Sequence, residues 1–369
     1  MKHIVFRTDA SLDIGTGHVM RCLTLAEALR ERSMTCRFVC RAHDGNLIDL
    51  IRQHGFATYT LPISDHQTTS DKAMAEYLPG NATWFDVDWA TDAEQTRIGI
   101  GETTVDWLIV DHYTLDACWE RSLRPTCHHL MVIDDLADRP HDCDIILDQN
   151  LGRITADYTD LVPVCCTILT GPQFALLRPE FALLRPYSLM RRATPQIKQI
   201  LISMGGVDKD NATGRVMEAL KNCPLPLDCR MMVMMGLHAP WLAEVRNKAA
   251  QMPWTTEVLV SEPDIAKLMA DSDLAIGAAG TSAWERCCLG LPTLTLILAD
   301  NQRAGAKALY AIGAISLLEE QHQVSERLDE KIKIMSNRQS LQKMQQACTS
   351  VTDGKGVTRL LAVLLNTNG

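Results

Sequence analysis

Short runs of Ile, Val and Leu recur along the chain between longer stretches in which apolar residues return every three or four positions. In the first half these runs are Ile4 to Phe6, Arg37 to Cys40, Trp107 to Val110, Leu130 to Ile133 and Ile145 to Leu147. Between the first two, Cys22, Leu25, Ala26 and Leu29 share one face of a helix expected over Val19 to Arg30. Strands that are apolar throughout are buried on both faces, so the alternation predicts a parallel sheet flanked by helices. The pattern restarts after Leu177 to Pro195, a stretch that holds Pro179, Pro186 and Pro195. There Ile200-Leu201-Ile202-Ser203-Met204 runs into Gly205-Gly206, and later strands are expected at Arg230 to Met234, Glu257 to Val260, Leu274 to Gly277 and Thr293 to Ile297. The expected fold is α/β, with two Rossmann-like domains at residues 1–180 and 190–350 and a helix and tail at 351–369 that pack back across the cleft. Ligands of such sheets bind outside the carboxyl ends of the strands, which places the expected site in a cleft between the domains.

Composition narrows the function classes. A length of 369 residues with 46% hydrophobic content is enough for two cores and excludes a disordered or fibrous chain. The net charge of -9, from 36 basic and 45 acidic side chains without long runs, argues against nucleic acid or an anionic membrane as partner. The longest apolar runs, such as Leu360 to Leu365, fall far short of the roughly 18 to 20 residues that span a bilayer. Thirteen cysteines, some adjacent like Cys165-Cys166 and Cys287-Cys288, follow no disulfide framework, and no signal peptide follows Met1. A cytoplasmic monomer with reduced thiols is expected.

Candidate chemistry clusters at two strand ends. After the strand around Val5 come Arg7, Asp9 and Gly15-Thr16-Gly17-His18, then a helix carrying Arg21. The glycines let backbone approach a ligand, and the helix start offers free N–H groups. Met20 stands where a dinucleotide fingerprint has its third glycine, and Arg41 rather than an acidic residue ends the second strand, which argues against NAD. His18 lies in the first helical turn, where the dipole disfavours imidazolium and leaves a ring able to accept a proton. Arg21 shares its face and can hold a sugar oxygen, a phosphate or the Asp9 carboxylate; a bare structural pairing is the competing explanation.

In the second half, Asp273 to Gly277 reads as a buried strand entering Ala278-Ala279-Gly280-Thr281-Ser282, after which Ala283-Trp284-Glu285 opens a helix. Small residues there make room for a diphosphate at a helix terminus. Ser282 and Glu285 also have the spacing of a capping box, so Glu285 is as readily a helix brace as a ligand. The turn Gly205-Gly206-Val207-Asp208, followed by Asn211 and Thr213, can close over the same phosphates or merely connect strand to helix.

Taken in order, Arg7, Asp9, Ile14-Gly15-x-Gly17-His18-x-x-Arg21, Asp111-His112-Tyr113, Ile133-Asp134-Asp135 and Asp148-Gln149-Asn150 form one series of motifs. Gly171-Pro172-x-Phe174-x-Leu176-Leu177-Arg178, Trp284-Glu285-Arg286, Gly290-x-Pro292 and Asn301-Gln302 continue it along nearly the whole chain. The series resembles the UDP-2,4-diacetamido-2,4,6-trideoxy-β-L-altropyranose hydrolases of the pseudaminic acid pathway, a family similar to inverting GT-B glycosyltransferases. The resemblance implies a GT-B arrangement, His18 as base, and Glu285 on the uridine ribose hydroxyls. It implies that the turns Gly205-Gly206 and Gly280-Thr281-Ser282 hold the diphosphate, with Asn301 and Gln302 at the sugar or the adjacent phosphate. Ala279 departs from the pattern, where a second glycine would be expected.

Asp111, His112 and Tyr113, at a strand end, are candidates for lining the sugar pocket, with a cap-and-turn role as the alternative. His128-His129, Asp134-Asp135 and the segment His141 to Asp144 have no zinc-site spacing and read as surface-loop residues, so neither metal nor other cofactor is expected. The expected reaction is inverting hydrolysis of a UDP-sugar, with His18 activating water. The rivals are an inverting UDP-sugar glycosyltransferase and a UDP-sugar-binding protein without chemistry.

Overall fold

The structure is a computed structural model that describes residues 2–63, 87–237, 239–260, 262–319 and 322–366. It divides into two compact units, one of residues 1–176 with 357–369 and one of residues 177–356.

The first unit holds a seven-stranded sheet in the order β3-β2-β1-β4-β5-β6-β7, all parallel. Its strands are β1 (His3–Thr8), β2 (Thr35–Arg41), β3 (Ala57–Leu61), β4 (Val105–Asp111), β5 (Cys127–Ile133), β6 (Ile145–Asp148) and β7 (Thr167–Thr170). The side-chain alternation of each strand feeds both faces. Ile4 and Phe6 pack with Ile109, Met131 and Ile133 beneath α1 (Gly17–Arg30), α2 (Ile48–Gln53) and the last helix, whereas Val5, Val39, Leu108 and Val110 face α3 (Trp89–Ile100) and α4 (Ala117–Leu123). The expected stripe of α1, Cys22, Leu25, Ala26 and Leu29, is fully buried in the first of these cores. So are Leu360, Leu361 and Leu364 of the helix Gly356–Asn366, so the chain's last helix completes the core that its first strand begins.

The second unit repeats the plan with six parallel strands in the order β10-β9-β8-β11-β12-β13. These are β8 (Gln199–Ser203), β9 (Arg230–Met235), β10 (Thr255–Val260), β11 (Leu274–Ala278), β12 (Thr293–Leu296) and β13 (Ile315–Leu318). The proline-bearing stretch before it is a helix, α5 (Pro179–Arg191), with Pro179 in its first turn and Pro186 inside it. Tertiary bonds offset what Pro186 removes from the helix ladder. Arg185 donates to the Thr349 and Thr352 carbonyls at 2.8 and 2.9 Å, and Ser188 Oγ to the Leu289 carbonyl at 2.7 Å. The remaining helices are α6 (Ala212–Leu220), α7 (Leu242–Ala249), α8 (Ile265–Asp271), α9 (Ser282–Cys288), α10 (Arg303–Ala311), α11 (Gln323–Met335), α12 (Arg338–Val351) and α13 (Gly356–Asn366).

Both strand orders reverse direction at one point, between β1 and β4 in the first sheet and between β8 and β11 in the second. Connections diverge to opposite faces there, which leaves a crevice at the carboxyl ends. His18 and Asp111 follow or end β1 and β4; Gly205 and Gly280 follow β8 and β11.

Candidate active site and ligand-binding turn

Beyond β1 the chain turns tightly through Ser11 to Gly15. Ser11 Oγ accepts from the Asp13 and Ile14 amides at 3.1 and 2.9 Å, and the Gly15 amide donates to the Ser11 carbonyl at 2.9 Å. Gly15 holds φ at +83°, a conformation that excludes most other residues. Gly17 then opens α1 behind Thr16, whose side chain makes no capping bond, so the first-turn amides are left for a ligand or solvent.

His18 points from this turn onto the last residue of β4. Its Nδ1 donates to Asp111 Oδ1 at 2.5 Å, so the Arg21 Nη2 atom 3.3 Å from Nδ1 is a contact and not a second hydrogen bond, and Nε2 is left to accept a proton. Arg21, one turn along α1, clamps the same carboxylate: Nε reaches Oδ2 at 2.6 Å and Nη2 reaches Oδ1 at 2.7 Å. The other edge of the guanidinium lies on Asp135, with both contacts at 2.9 Å. Burial alone would raise the Asp111 carboxyl, but the Arg21 charge and the hydrogen bonds from Arg21 and His18 hold it well below the usual carboxylate range. Asp111 is thus a permanent anion behind the histidine, and Tyr113 closes the far side with its ring edge-on to His18 at 4.3 Å between centroids.

These positions correct two expectations. Arg21 does not meet Asp9; its donors are engaged by Asp111 and Asp135. Asp111 is fully buried, with both oxygens taken by His18 and Arg21, so it orients the histidine instead of offering itself to a sugar. Asp9 belongs to a neighbouring network. Arg7 Nη1 sits 2.7 Å from Asp9, the Arg41 amide donates to Asp9 at 2.7 Å, and Arg7 and Arg41 both pair with Asp92 of α3. His112 Nδ1 accepts from the Thr114 amide at 3.2 Å, which leaves its Nε2 proton facing Asp9 at 3.3 Å. Burial lowers the His112 pKa in spite of the Asp9 charge, so this ring is neutral. Asp9, Ile14, His18, Asp111, His112 and Tyr113 line one small pocket at the β1/β4 crevice.

Of the residues taken for surface loops, Asp134, His141 and Cys143 are buried. Asp134 is buried against Arg139 at 3.1 Å, and His141 pairs with the buried Glu120 at 2.6 Å. His129 stacks on Trp107 at 4.8 Å, while His128 is exposed. Asp135, read from the sequence only as part of a motif and as a surface-loop residue, holds Arg21 and also accepts from Asn150 Nδ2 at 3.2 Å, which itself reaches Asp148 at 2.9 Å. Burial and the neighbouring Asp135 push the Asp148 carboxyl up to about 6. Among the described residues no group of three or more His, Cys, Asp or Glu is placed to hold a metal ion, and no helix is long and apolar enough to cross a membrane. All thirteen cysteines are free thiols.

In the second unit the turn Ala279-Gly280-Thr281 leaves β11 half-buried to exposed. The capping box does not form: Ser282 is already the first residue of α9, Thr281 is the cap position without a side-chain bond, and the Ser282 hydroxyl accepts from Arg286 at 3.0 Å. Glu285 is therefore released from bracing the helix. Burial raises its carboxyl above the ordinary value, against the pull of Arg178 and Arg286. Gln302, in the turn Asp300–Gln302 after β12, holds the Leu298 amide through Oε1 at 3.1 Å and places Nε2 3.8 Å from where a Cβ on Gly280 would stand. Asn301 precedes it, half-buried. At the β8 end, Gly205 has φ +92°, Asn211 caps α6 by accepting from the Gly214 amide at 3.0 Å, and Asp208 accepts from the Ala212 and Thr213 amides at 2.8 and 2.9 Å. That helix start is filled by the chain's own carboxylate, so only the Gly205-Gly206 backbone remains for a ligand there.

Residues 237–358 match the glycosyltransferase family 28 C-terminal domain, all but the last two of them in the second unit. The chain is 26% identical over 304 residues to the UDP-2,4-diacetamido-2,4,6-trideoxy-beta-L-altropyranose hydrolase of Campylobacter jejuni, an alignment that covers 82% of this chain and 94% of that protein. Among solved structures, MurG of Acinetobacter baumannii matches with a TM-score of 0.72 at 16% identity, over 99% of this chain and 100% of that one. MnaA of S. aureus, solved with UDP, matches with a TM-score of 0.59 at 13% identity, over 98% and 95% of the two chains. The chain is thus similar over most of its length to a UDP-sugar hydrolase, and its two Rossmann-like α/β domains have the fold of GT-B glycosyltransferases.

Proposed function

We propose that the protein hydrolyses a UDP-linked 2,4-diacetamido-2,4,6-trideoxy sugar to UDP and the free sugar, with inversion at the anomeric carbon. The observation that carries this reading is the His18–Asp111 pair, 2.5 Å apart and clamped by Arg21, both residues lining the small pocket at the β1/β4 crevice. In the reaction Nε2 takes a proton from water as its oxygen bonds to the anomeric carbon, and the bond to the UDP oxygen breaks on the opposite face. Asp111 holds the proton-accepting tautomer and stabilises the imidazolium that forms. The leaving diphosphate is held by the backbone of the Gly280-Thr281-Ser282 and Gly205-Gly206 turns, which stabilises its developing charge without a general acid. Glu285 takes the ribose hydroxyls, and Asn301 and Gln302 stand beside the sugar-bearing phosphate. The similarity to the Campylobacter hydrolase supports the choice of sugar and of water as acceptor.

The match to a family 28 glycosyltransferase domain favours one second reading, in which the same pair activates a sugar hydroxyl in place of water. Incubating the protein with the UDP-sugar alone, with no acceptor and no added metal, separates the two. Free UDP and an inverted anomeric proton, followed by NMR before mutarotation, are the expected result. UDP released only after an acceptor is added would establish the transferase, binding without release would leave a carrier, and retained configuration would overturn the direct attack by water.

A further inference from the structure

Arg286 of α9 is 2% exposed, yet it pairs with no carboxylate among the described residues. Its guanidinium reaches back beneath the turn that leaves β11. Nη2 donates to the Ala278 carbonyl at 2.6 Å and Nη1 to the Ser282 hydroxyl at 3.0 Å, while Nε has no hydrogen-bond partner. A Cβ on Gly277 would stand 2.8 Å from the Ser203 carbonyl and 3.0 Å from Nη1, so the glycine is required by the adjacent strand and also gives the guanidinium room. The residues between its two anchors, Ala279, Gly280 and Thr281, are half-buried or exposed. A cation therefore sits one layer of backbone beneath an open turn.

Burying a guanidinium without a counter-charge is costly, and desolvation indeed pulls Arg286 below arginine's ordinary pKa. The first unit handles buried arginines differently: Arg7, Arg21 and Arg41 all lie against aspartates. Arg192 of the same unit is also buried and braces only the Ser188, Met269, Ser272 and Leu289 carbonyls and the Ser188 hydroxyl, but Arg286 differs in that its two anchors flank a turn that is half-buried to exposed. We infer that Arg286 is a positioning residue for the diphosphate, bracing the Ala278 to Ser282 turn and lending it a positive field that no ion pair among the described residues neutralises and that a bound anion would compensate. The inference rests on the reading of this unit as the UDP-binding one. It assigns the affinity for phosphate to a side chain that never touches the ligand, and it predicts that the charge of Arg286 separates UDP from uridine.

The test is calorimetric titration of the full-length protein with uridine and with UDP, at low and at physiological salt. For Arg286→Gln, UDP is expected to bind on the order of 10-fold more weakly while uridine changes less than about 2-fold, and the salt dependence of UDP binding shrinks. Arg286→Lys, which keeps the charge and loses the fork, should retain most of the preference for UDP over uridine. Equal weakening of both ligands in the Gln variant, or no weakening of either, would overturn the inference and leave a neutral brace. Should the Gln variant fail to fold, the Lys variant decides: a preserved preference supports the field, and a lost one refutes it. Failure of wild type to bind either ligand would instead refute the UDP reading itself.

Discussion

The two strand-end sites treat charge in opposite ways. At the β1/β4 crevice Arg7, Arg21 and Arg41 are interlocked with Asp9, Asp92, Asp111 and Asp135 by contacts of 2.5 to 2.9 Å. At the end of β11 a buried arginine meets only a carbonyl and a hydroxyl beneath a turn of Ala, Gly and Thr. A site that moves a proton gains from a rigid, neutralised scaffold that fixes one tautomer of one ring. A site that grips a diphosphate gains from positive potential left uncompensated until the ligand arrives. On the proposed function, the same sheet topology would support a chemical half and a binding half.

If that division is right, the largest effect comes from spoiling the histidine's partner. Asp111→Asn is expected to lower turnover about 100- to 10,000-fold while leaving the UDP affinity near that of wild type; a loss confined to affinity would put Asp111 on the ligand. Next is the clamp itself. Arg21→Met leaves Asp111 buried without its main counter-charge and should cost about 3 to 5 kcal/mol of stability in chemical denaturation, far beyond a surface substitution. A change within about 0.5 kcal/mol would mean that the clamp is dispensable. In the binding half, Glu285→Gln is expected to weaken UDP about 10-fold, the value of one charge-assisted hydrogen bond, without altering thermal stability by more than a few degrees. A drop in stability without a drop in affinity would restore Glu285 to a structural role.

The smallest effect sharpens the same contrast through pH. Asp148 titrates near 6, above the ordinary 3.8, so its contribution to stability is fully present below about pH 3.8 and fades as pH rises through 6. Relative to Asp148→Asn, which carries no titrating proton, wild type should lose on the order of 1 to 2 kcal/mol between pH 4 and pH 7. A difference in unfolding free energy that stays flat over this range would show that Asp135 does not press on Asp148.

What could be read from the sequence follows from what local pattern encodes. The inner strands are apolar on both faces and announced themselves. The edge strand Ala57–Leu61, Ala-Thr-Tyr-Thr-Leu, is largely exposed, and Thr167–Thr170 is only partly buried, so neither carries such a run. Pro186 masked α5 because the bonds that sustain the helix come from the Leu289, Thr349 and Thr352 carbonyls, far along the chain. His18 was legible from its turn glycines and helix start. Its dependence on Asp111, 93 residues away, and the hold of Asp135 on Arg21, 114 residues away, required the knowledge that β4 lies beside β1 and β5 beside β4. The capping-box spacing left two roles for Glu285 open, and a single position decides against the box, since Ser282 stands inside the helix and not at its cap.

The division of labour between the two sites is tested most directly by His18→Ala, with single-turnover cleavage of the UDP-sugar and UDP affinity measured on the same preparation. Cleavage slowed about 100- to 10,000-fold with UDP affinity within about 2-fold of wild type is the predicted result. Cleavage at the wild-type rate, or a loss of UDP affinity that accounts for the whole defect, would contradict it.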